Sequence, residues 1–240
     1  MTEPLMPRRH ALHPAPRDPD YKSSVTRAPN LPLLSMESTP AEETGPRFGH
    51  SLIGPLDNDL IRNFSRGARR AIGERIRVHG RVLDETGRGV AGTLVEIWQA
   101  NAGGRYRHVK DTYFAPLDPD FGGCGRTLTD EAGRYEFMTI RPGAYPWPNR
   151  ANDWRPMHIH FSVFGHAFGQ RLVTQMYFEG DPLIEHCPIV HTIRDRGQIE
   201  RLVAPLDLQN SRGMDYLAYR FDIVLRGRRQ TMFETRPEGM

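Results

Sequence analysis

The segment Arg75-Ile-Arg-Val-His-Gly-Arg-Val-Leu83 alternates apolar and polar side chains with a period of two. In an extended strand, Ile76, Val78 and Val82 would lie on one face, and the Arg and His side chains between them on the other. The run Asp84-Glu-Thr-Gly-Arg-Gly89 follows directly and has the residues typical of a turn. The segment therefore predicts a half-buried strand that ends at a turn.

Similar segments recur along the rest of the chain. The other predicted strands are Thr93–Gln99, Tyr135–Ile140, Met157–Phe164, Arg171–Phe178 and Tyr219–Leu225. We expect one helix from about Arg194 to Val203 and a short helix capped by Asp57. Short strands separated by Gly, Pro and Asp turns predict an all-β fold, a β-sandwich with long loops and a short helix or two.

The first 50 residues differ in composition from the remainder. They contain nine prolines and lack hydrophobic periodicity, which predicts an extended, proline-rich arm over residues 1–50. No second change in composition follows it. We therefore expect a single β-sandwich domain over residues 51–240.

Composition and charge exclude several classes of protein. No apolar run approaches the roughly 18 to 20 residues of a membrane-spanning helix, and the first thirty residues lack the apolar stretch of a secretory signal. We therefore expect a cytoplasmic location. The net charge is +3, and the arginines are scattered rather than gathered in the continuous stripe that favours nucleic-acid binding. Cys124 and Cys187 lack the spacing of a zinc or redox motif and are expected to be free thiols.

A pair of histidines lies within one of the predicted strands. His158 and His160 are two residues apart, so their side chains share a face, with Cα atoms roughly 6.6 Å apart. Met157, Ile159 and Phe161 would occupy the opposite, core-facing side. Both imidazoles could bind one metal ion; the alternative is that they are two polar residues on a solvated face.

Two loops carry tyrosines that could complete such a site. Tyr106 lies in the glycine-rich turn Asn101-Ala-Gly-Gly-Arg-Tyr-Arg-His108, and Tyr145 lies in the proline-rich loop Arg141-Pro-Gly-Ala-Tyr-Pro-Trp-Pro148. The prolines around Tyr145 restrict the loop before folding, so less conformational entropy would be lost when the Tyr145 ring is held in place. Because a phenol has a pKa of about 10, binding it as a phenolate at neutral pH needs a strong Lewis acid, and a hard trivalent ion such as Fe(III) fits better than Zn(II). The alternative is ordinary packing of amphipathic loop tyrosines.

Together these segments resemble the intradiol ring-cleavage dioxygenases. The matching motifs are Gly103–His108, Tyr145–Trp147, Trp154–Phe161, Thr174–Pro182 and Leu217–Gly227. The resemblance extends from about Tyr21 to Phe233. The two spaced tyrosines, combined with Trp154-Arg-Pro-Met-His-Ile-His160, make it specific.

The resemblance implies a function and a set of site residues. The expected ligands of one non-haem Fe(III) per chain are Tyr106, Tyr145, His158 and His160, with a solvent hydroxide as the fifth. Tyr145 would also act as a base, Arg155 would stabilise negative charge on the substrate ring, and Gln175 would contact the oxygen-reaction pocket. Trp147 and Ile189 would line the substrate ring, and Tyr21 would reach its carboxylate. The implied reaction is O2-dependent cleavage of protocatechuate between its two hydroxylated carbons to 3-carboxy-cis,cis-muconate, in a hetero-oligomer with an α subunit.

Three other interpretations compete with this one. A relative that cleaves catechol or hydroxyquinol would begin with a helical dimerisation region instead of a proline-rich arm. The related α subunit would lack the iron ligands, whereas all four are present here. A non-catalytic β-sandwich module, of the transthyretin-like or carboxypeptidase-regulatory kind, would account for Gly80–Val95 and Thr129–Phe137. It would leave the clustering of Tyr145, Arg155, His158 and His160 without an explanation.

Overall fold

Short strands dominate the computed structural model of the chain, which describes residues 14–29, 31, 53–164, 171–225 and 231. The strands are β1 Arg75–Leu83, β2 Leu94–Trp98, β3 Cys124–Leu128, β4 Arg134–Ile140, β5 Tyr145–Pro146, β6 Trp154–Arg155, β7 His158–Phe164, β8 Arg171–Phe178, β9 Val203–Ala204, β10 Leu217–Arg220 and β11 Ile223–Val224. Two short helices, α1 Ser24–Arg27 and α2 Arg196–Glu200, accompany the 3₁₀ turns Pro182–His186 and Val190–Thr192.

The first sheet is organised around β1. This strand pairs antiparallel with β4 and parallel with both β10 and β11. The chain leaves the sheet between β10 and β11 because the Phe221 backbone crosses close to Gly80. A Cβ atom at Gly80 would lie only 1.9 Å from the Phe221 carbonyl oxygen. The single strand predicted over Tyr219–Leu225 is therefore two strands, joined by Phe221 and Asp222.

The second sheet has the strand order β3-β2-β7-β8-β9. Its neighbours are antiparallel apart from the short parallel pair β8–β9. The central strand β7 places His160 opposite Trp98 of β2 and Gln175 of β8, and His158 opposite Tyr177 of β8. These five side chains therefore meet on one face of the sheet.

The core lies between the two sheets. It joins buried residues of the first sheet (Ile76, Val78, Val82, Tyr135, Phe137) to buried residues of the second (Val95, Ile97, Ile159, Phe161, Met176, Phe178). Phe161 lies at its centre, with ring centroids 5.9 Å from Phe137 and 5.1 Å from Phe221. The all-β sandwich predicted from the alternating pattern is confirmed.

The helices differ in part from the sequence prediction. Helix α2 lies inside the predicted span of 194–203, with the Asp195 side chain accepting from the Gly197 N–H at its start. The helix predicted after Asp57 is wrong, because that segment forms turns. The Asp57 carboxylate accepts from Gly54 N–H and pairs with Arg126 on β3 at 2.7 Å, so it fixes a loop to the sheet edge.

The predicted arm falls only partly within the described residues. Residues 14–29 contain the single helical turn α1, and residues 1–13, 30 and 32–52 lie outside the description. None of the described helices is long and apolar enough to cross a bilayer. Cys124 and Cys187 are free thiols, as predicted.

Candidate metal centre

The two histidines of β7 share one face of the second sheet. Ile159 and Phe161 point the opposite way and are fully buried in the core, as the alternation predicted. His158 is buried and His160 is half-buried, and their ring centroids are 4.9 Å apart. The pleat of the strand therefore brings two imidazoles together without any contribution from a loop.

His158 is held in one orientation by the backbone. Its Nδ1 atom lies 2.6 Å from the carbonyl oxygen of Pro156, which can only accept, so Nδ1 donates. Burial lowers the pKa of His158 well below its usual value, and the charges of Arg155 and His160 lower it further. The ring is thus neutral, with the lone pair on Nε2, which is the form that binds a metal ion.

His160 is fixed by stacking. Its ring lies against that of Trp98 on β2, with centroids 4.7 Å apart and planes only 4° from parallel. Trp98 was not predicted as a site residue. The pairing of β2 with β7 places it directly opposite His160, and such cross-strand pairs are visible only once the register is known.

Tyr106 reaches both histidines from its loop. Its Oη atom is 3.3 Å from His158 Nε2 and 3.1 Å from His160 Nε2. The Asp111 carboxylate accepts from the Tyr106 backbone N–H at 2.7 Å and so fixes the position of the phenol along the loop. The oxygen of Tyr106 therefore lies within reach of the Nε2 atoms of both imidazoles.

Tyr145 approaches from a different direction. It begins β5, which pairs with β6 so that Tyr145 lies opposite Arg155. Its Oη atom is 3.4 Å from His158 Nε2, and its ring centroid is 5.5 Å from that of Tyr106. The two phenols and two imidazoles named in the sequence analysis thus meet in one place.

Glycines bring the two tyrosine loops into backbone contact. Gly104 adopts a φ of +81°, and a Cβ atom there would lie 2.3 Å from the carbonyl oxygen of Ala144. A Cβ at Gly143 would lie 2.5 Å from the carbonyl oxygen of Ala102. Any other residue at these positions would push the loops apart, and with them the phenols.

Asn101 joins the same two loops and was also missed by the sequence analysis. Its buried side chain accepts from the N–H groups of Gly103 and Arg105 at 2.9 and 3.0 Å. Its backbone carbonyl accepts from Gly143 N–H at 2.9 Å. An asparagine after a strand is common in turns, so its sequence position gave no distinctive signal.

The donor set fits a hard, high-valent metal ion. Within the described parts of the chain, no group of three or more His, Cys, Asp or Glu side chains is placed to hold a metal ion. The oxygen donors that meet the two imidazoles are phenols. Phenolate oxygen with imidazole nitrogen suits a trivalent iron better than a soft or weakly acidic ion.

Arg155 lies beside the four candidate ligands and is 4% exposed. Its Nη2 atom donates to Gln175 Oε1 and lies 3.4 Å from the Tyr177 hydroxyl. Burial lowers the pKa of Arg155, but the neighbouring Tyr177, Cys187 and Tyr145 raise it by more, so the guanidinium stays charged. Its Nε–H is buried without a protein acceptor, which leaves a donor for an anionic ligand.

Tyr177 is a further site residue that the sequence analysis did not identify. It is 2% exposed, and its hydroxyl donates to Gln175 Oε1 at 3.0 Å. Arg155 donates to the same Gln175 oxygen, so the orientation of the Gln175 amide is set by two donors. The alternation Gln175-Met-Tyr177 on β8 could have indicated Tyr177, because it places both residues on the histidine face.

The three predicted substrate-binding residues lie at different distances from this centre. The Arg155 guanidinium carbon is 5.9 Å from the centroid of the Trp147 ring, and Trp147 packs edge-on against Tyr21 at 5.3 Å. Ile189 packs against a second apolar cluster, which includes Tyr177 and Cys187. Among them, Trp147 alone touches Arg155 in the contacts described. His108, two residues after Tyr106 in the same loop, is exposed.

Two family models match the sequence. One described as Dioxygenase covers residues 43–227, and one described as the N terminal of the protocatechuate 3,4-dioxygenase beta subunit covers residues 6–39. The chain is 51% identical over 230 residues to the protocatechuate 3,4-dioxygenase beta chain of Burkholderia cepacia, which is 96% of this chain and 97% of that one. It is 30% identical to the corresponding alpha chain of Pseudomonas putida, over 85% of this chain and 98% of that one.

Solved structures agree with the fold. The 3-chlorocatechol 1,2-dioxygenase from Rhodococcus opacus 1CP superposes with a TM-score of 0.54 at 24% identity, over 70% of this chain and 64% of that one. The catechol 1,2-dioxygenase of Acinetobacter sp. ADP1 superposes with a TM-score of 0.50 at 27% identity, over 68% of this chain and 55% of that one. This chain thus spans less than two thirds of both solved relatives, and the first of these likenesses shows the fold alone.

Proposed function

Because this chain belongs to the intradiol ring-cleavage dioxygenase family, we propose that it is the iron-bearing β subunit of a protocatechuate 3,4-dioxygenase. The enzyme cleaves 3,4-dihydroxybenzoate with O2 between the two hydroxylated carbons, and both oxygen atoms enter the product, 3-carboxy-cis,cis-muconate. The observation that carries this proposal is the convergence of Tyr106, Tyr145, His158 and His160 beside a buried arginine.

The family implies a non-haem iron, and the four converging residues would hold it as Fe(III), one per chain. When bound, the ferric ion would supply Lewis acidity that stabilises phenolate and catecholate oxygen. The Nε2 atoms of His158 and His160 and the two phenol oxygens would be the donors. The Pro156 carbonyl and the Trp98 ring hold the imidazoles in place before any metal binds.

Tyr145 has the properties of a base for the substrate. A phenolate oxygen is strongly basic, so it can take a proton from one hydroxyl of the incoming catechol. Tyr145 stands on the two-residue strand β5, whereas Tyr106 is anchored by Asp111 and lies near both histidines. In this proposal Tyr145 is the phenol that would act as the base for the substrate, and Tyr106 would stay beside the two histidines.

Arg155 supplies positive charge to the substrate ring. A guanidinium cannot give up its proton at neutral pH, so it can stabilise negative charge on a ring carbon without taking part in proton transfer. Burial strengthens this effect, because few water molecules screen the charge. Gln175 and Tyr177 hold the guanidinium in position through their hydrogen bonds.

The substrate and partner assignments extend this proposal. Trp147 and Ile189 line the aromatic ring of the substrate, and Tyr21 reaches its carboxylate. Similarity to both chains of the named relatives supports an α subunit as partner in a hetero-oligomer. The division into an arm over residues 1–50 and a catalytic domain over residues 51–240, and the cytoplasmic location, stay predictions from the sequence.

Product analysis tests the proposed function directly. The iron-loaded αβ complex is incubated with protocatechuate under O2, and the product is identified by mass and NMR. We expect 3-carboxy-cis,cis-muconate with two oxygen atoms from labelled O2. Cleavage outside the two hydroxyls, or preferential turnover of catechol over protocatechuate, would overturn the assignment.

A further inference from the structure

A buried asparagine holds the N-terminal arm against the catalytic domain. Asn149 is 7% exposed and lies in the loop between β5 and β6. Its Oδ1 atom accepts from the backbone N–H of Lys22 at 2.8 Å, and its Nδ2 atom donates to the backbone carbonyl of Asp20 at 2.8 Å. One amide thus binds the backbone on both sides of Tyr21 and so fixes the position of that residue.

The same asparagine is tied to the loop that carries Trp147. Asn149 Nδ2 donates to the Asp153 carboxylate at 2.9 Å, and the Asn149 N–H donates to the Trp147 carbonyl at 2.8 Å. Trp147 N–H in turn donates to the Asp153 carbonyl at 2.8 Å. Asn149 therefore sets the relative position of two segments that are far apart in sequence.

Tyr21 and Trp147 connect these contacts to Arg155 at the candidate metal centre. The Tyr21 ring packs edge-on against Trp147 at 5.3 Å, and Trp147 lies 5.9 Å from the Arg155 guanidinium carbon. The Tyr21 hydroxyl accepts from Arg27 Nη2 at 2.7 Å. That bond leaves the phenol proton as a donor and adds positive charge beside it, both of which favour an anionic group.

We propose that Asn149 is a positioning residue that selects carboxylated catechols by fixing Tyr21 at the edge of the site. The inference rests on the proposed function for its substrate, but the clamp itself depends only on Asn149 and its partners. The amide holds the backbone of residues 20 and 22 and so places the Tyr21 hydroxyl where the substrate carboxylate enters. Without it, the arm no longer presents this donor in a fixed position.

An ion pair between Arg150 and Asp20 joins the same two segments and provides a matched control. Their side chains are 53% and 65% exposed, so solvent screens the pair and it contributes little to docking. Arg150→Ala removes this neighbouring contact and leaves the Asn149 hydrogen bonds in place. If arm docking depends on charge rather than on the amide, this variant will have the larger effect.

The test compares Asn149→Ala, the near-isosteric Asn149→Asp and Arg150→Ala in the iron-loaded αβ complex. Asn149→Asp keeps an acceptor for Lys22 but places a carboxylate against the Asp20 carbonyl and Asp153. We expect both Asn149 variants to raise KM for protocatechuate by about tenfold, with kcat changed less than about twofold, as loss of a binding contact predicts. The dissociation constant of catechol, which lacks the carboxylate, should stay within about twofold of wild type.

Two further measurements separate positioning from a general structural defect. If Asn149 acts through Tyr21, the double variant Tyr21→Phe/Asn149→Ala will be no weaker on protocatechuate than Tyr21→Phe alone, whereas independent effects would multiply. Hydrogen exchange at the Lys22 amide should accelerate in Asn149→Ala of the metal-free complex and not in Arg150→Ala.

The results that would contradict the positioning role differ from those that would refute the proposed function. Equal losses for protocatechuate and catechol, multiplicative losses in the double variant, or unchanged exchange at Lys22 would each contradict the positioning role. A wild-type complex that binds iron but does not cleave protocatechuate would refute the proposed function instead. In that case the exchange measurement would still decide whether Asn149 clamps the arm.

Discussion

The two faces of the β7–β8 pair share one hydrogen-bonded backbone and differ completely in chemistry. The core face carries Ile159, Phe161, Met176 and Phe178, and the site face carries His158, His160, Gln175 and Tyr177. Apart from His160, the site-face residues are as buried as ordinary core residues. The core face is held by packing alone, whereas the site face depends on hydrogen bonds and ring contacts from Arg155, Trp98 and the tyrosine loops.

Because alternate residues of β7 and β8 face opposite sides of the sheet, we expect one set of residues to determine stability and the other to determine function. Substitutions on the core face should lower the free energy of unfolding. Those on the site face should affect iron binding and turnover, with smaller effects on folding. Loop residues that bring the tyrosines to the site face should behave like site-face residues.

The largest expected effect is on the core face. Phe161→Ala removes a fully buried ring between Phe137 and Phe221, so the free energy of unfolding should fall by about 3–5 kcal/mol. Denaturant unfolding of the purified complex measures this. Phe114→Ala is the control, since that ring is 89% exposed and its loss should change stability by less than about 0.5 kcal/mol. Similar losses in both variants would mean that the core is misplaced.

His160→Ala, at the residue before Phe161, should show the opposite pattern, with a large loss of iron affinity and little loss of stability. It removes one of four proposed donors, and we expect iron affinity to fall by more than about 100-fold, since even outer partners of metal ligands are worth 10–100-fold. Unfolding of the metal-free protein should change far less than in Phe161→Ala. Metal analysis after dialysis against a chelator gives the iron content. Full retention of iron would contradict the proposed role of His160.

The contact between the two tyrosine loops can be disrupted at Gly104. Gly104→Ala would strain a φ of +81° and place a methyl group 2.3 Å from the Ala144 carbonyl, so we expect about a tenfold loss of iron affinity. Gly87→Ala is a matched control, because Gly87 has a φ of +85° with open space around it. Gly87→Ala should lower the free energy of unfolding by about 1 kcal/mol through backbone strain, and its iron affinity should not change. Equal iron loss in both variants would mean that the close approach of the loops is unimportant.

The smallest expected effect comes from Tyr177→Phe. The change removes one of the two described donors to Gln175 Oε1 and one neighbour of Arg155, without opening a cavity. We expect kcat to fall by about tenfold or less with iron fully retained, as for the loss of one hydrogen bond. Tyr113→Phe, in the loop after Tyr106, serves as the control. An unchanged kcat would show that Arg155 and Gln175 hold their positions without Tyr177.

Much of the fold was predictable because it follows from local alternation. The period-two pattern in Arg75–Leu83 and Met157–Phe164 correctly assigned which side chains face the core. The break at Phe221 was not predictable, because it depends on the close approach of Phe221 to Gly80 from a distant segment. The turn after Asp57 likewise depends on its pairing with Arg126.

The residues of the candidate site also divide into those that the local sequence predicts and those that it does not. His158 and His160 follow from spacing within one strand. The tyrosines were candidates from their loops, and the resemblance to a family then singled them out. Trp98 and Asn149 were missed because their contacts depend on strand register or on loops far apart in sequence. Asn101 gave no distinctive signal, and Tyr177 could have been found from the alternation along β8. An ordinary asparagine or tryptophan acquires its role only from the residues placed opposite it.

The central claim is that two phenolates and two imidazoles of this chain hold ferric iron, and its optical spectrum tests this most directly. The iron-loaded αβ complex should be red-brown, because phenolate-to-Fe(III) charge transfer absorbs visible light, and protocatechuate should shift the band. Tyr106→Phe, if it retains iron, should weaken the band, whereas Tyr113→Phe should leave it unchanged. A colourless complex at full iron occupancy would contradict the account.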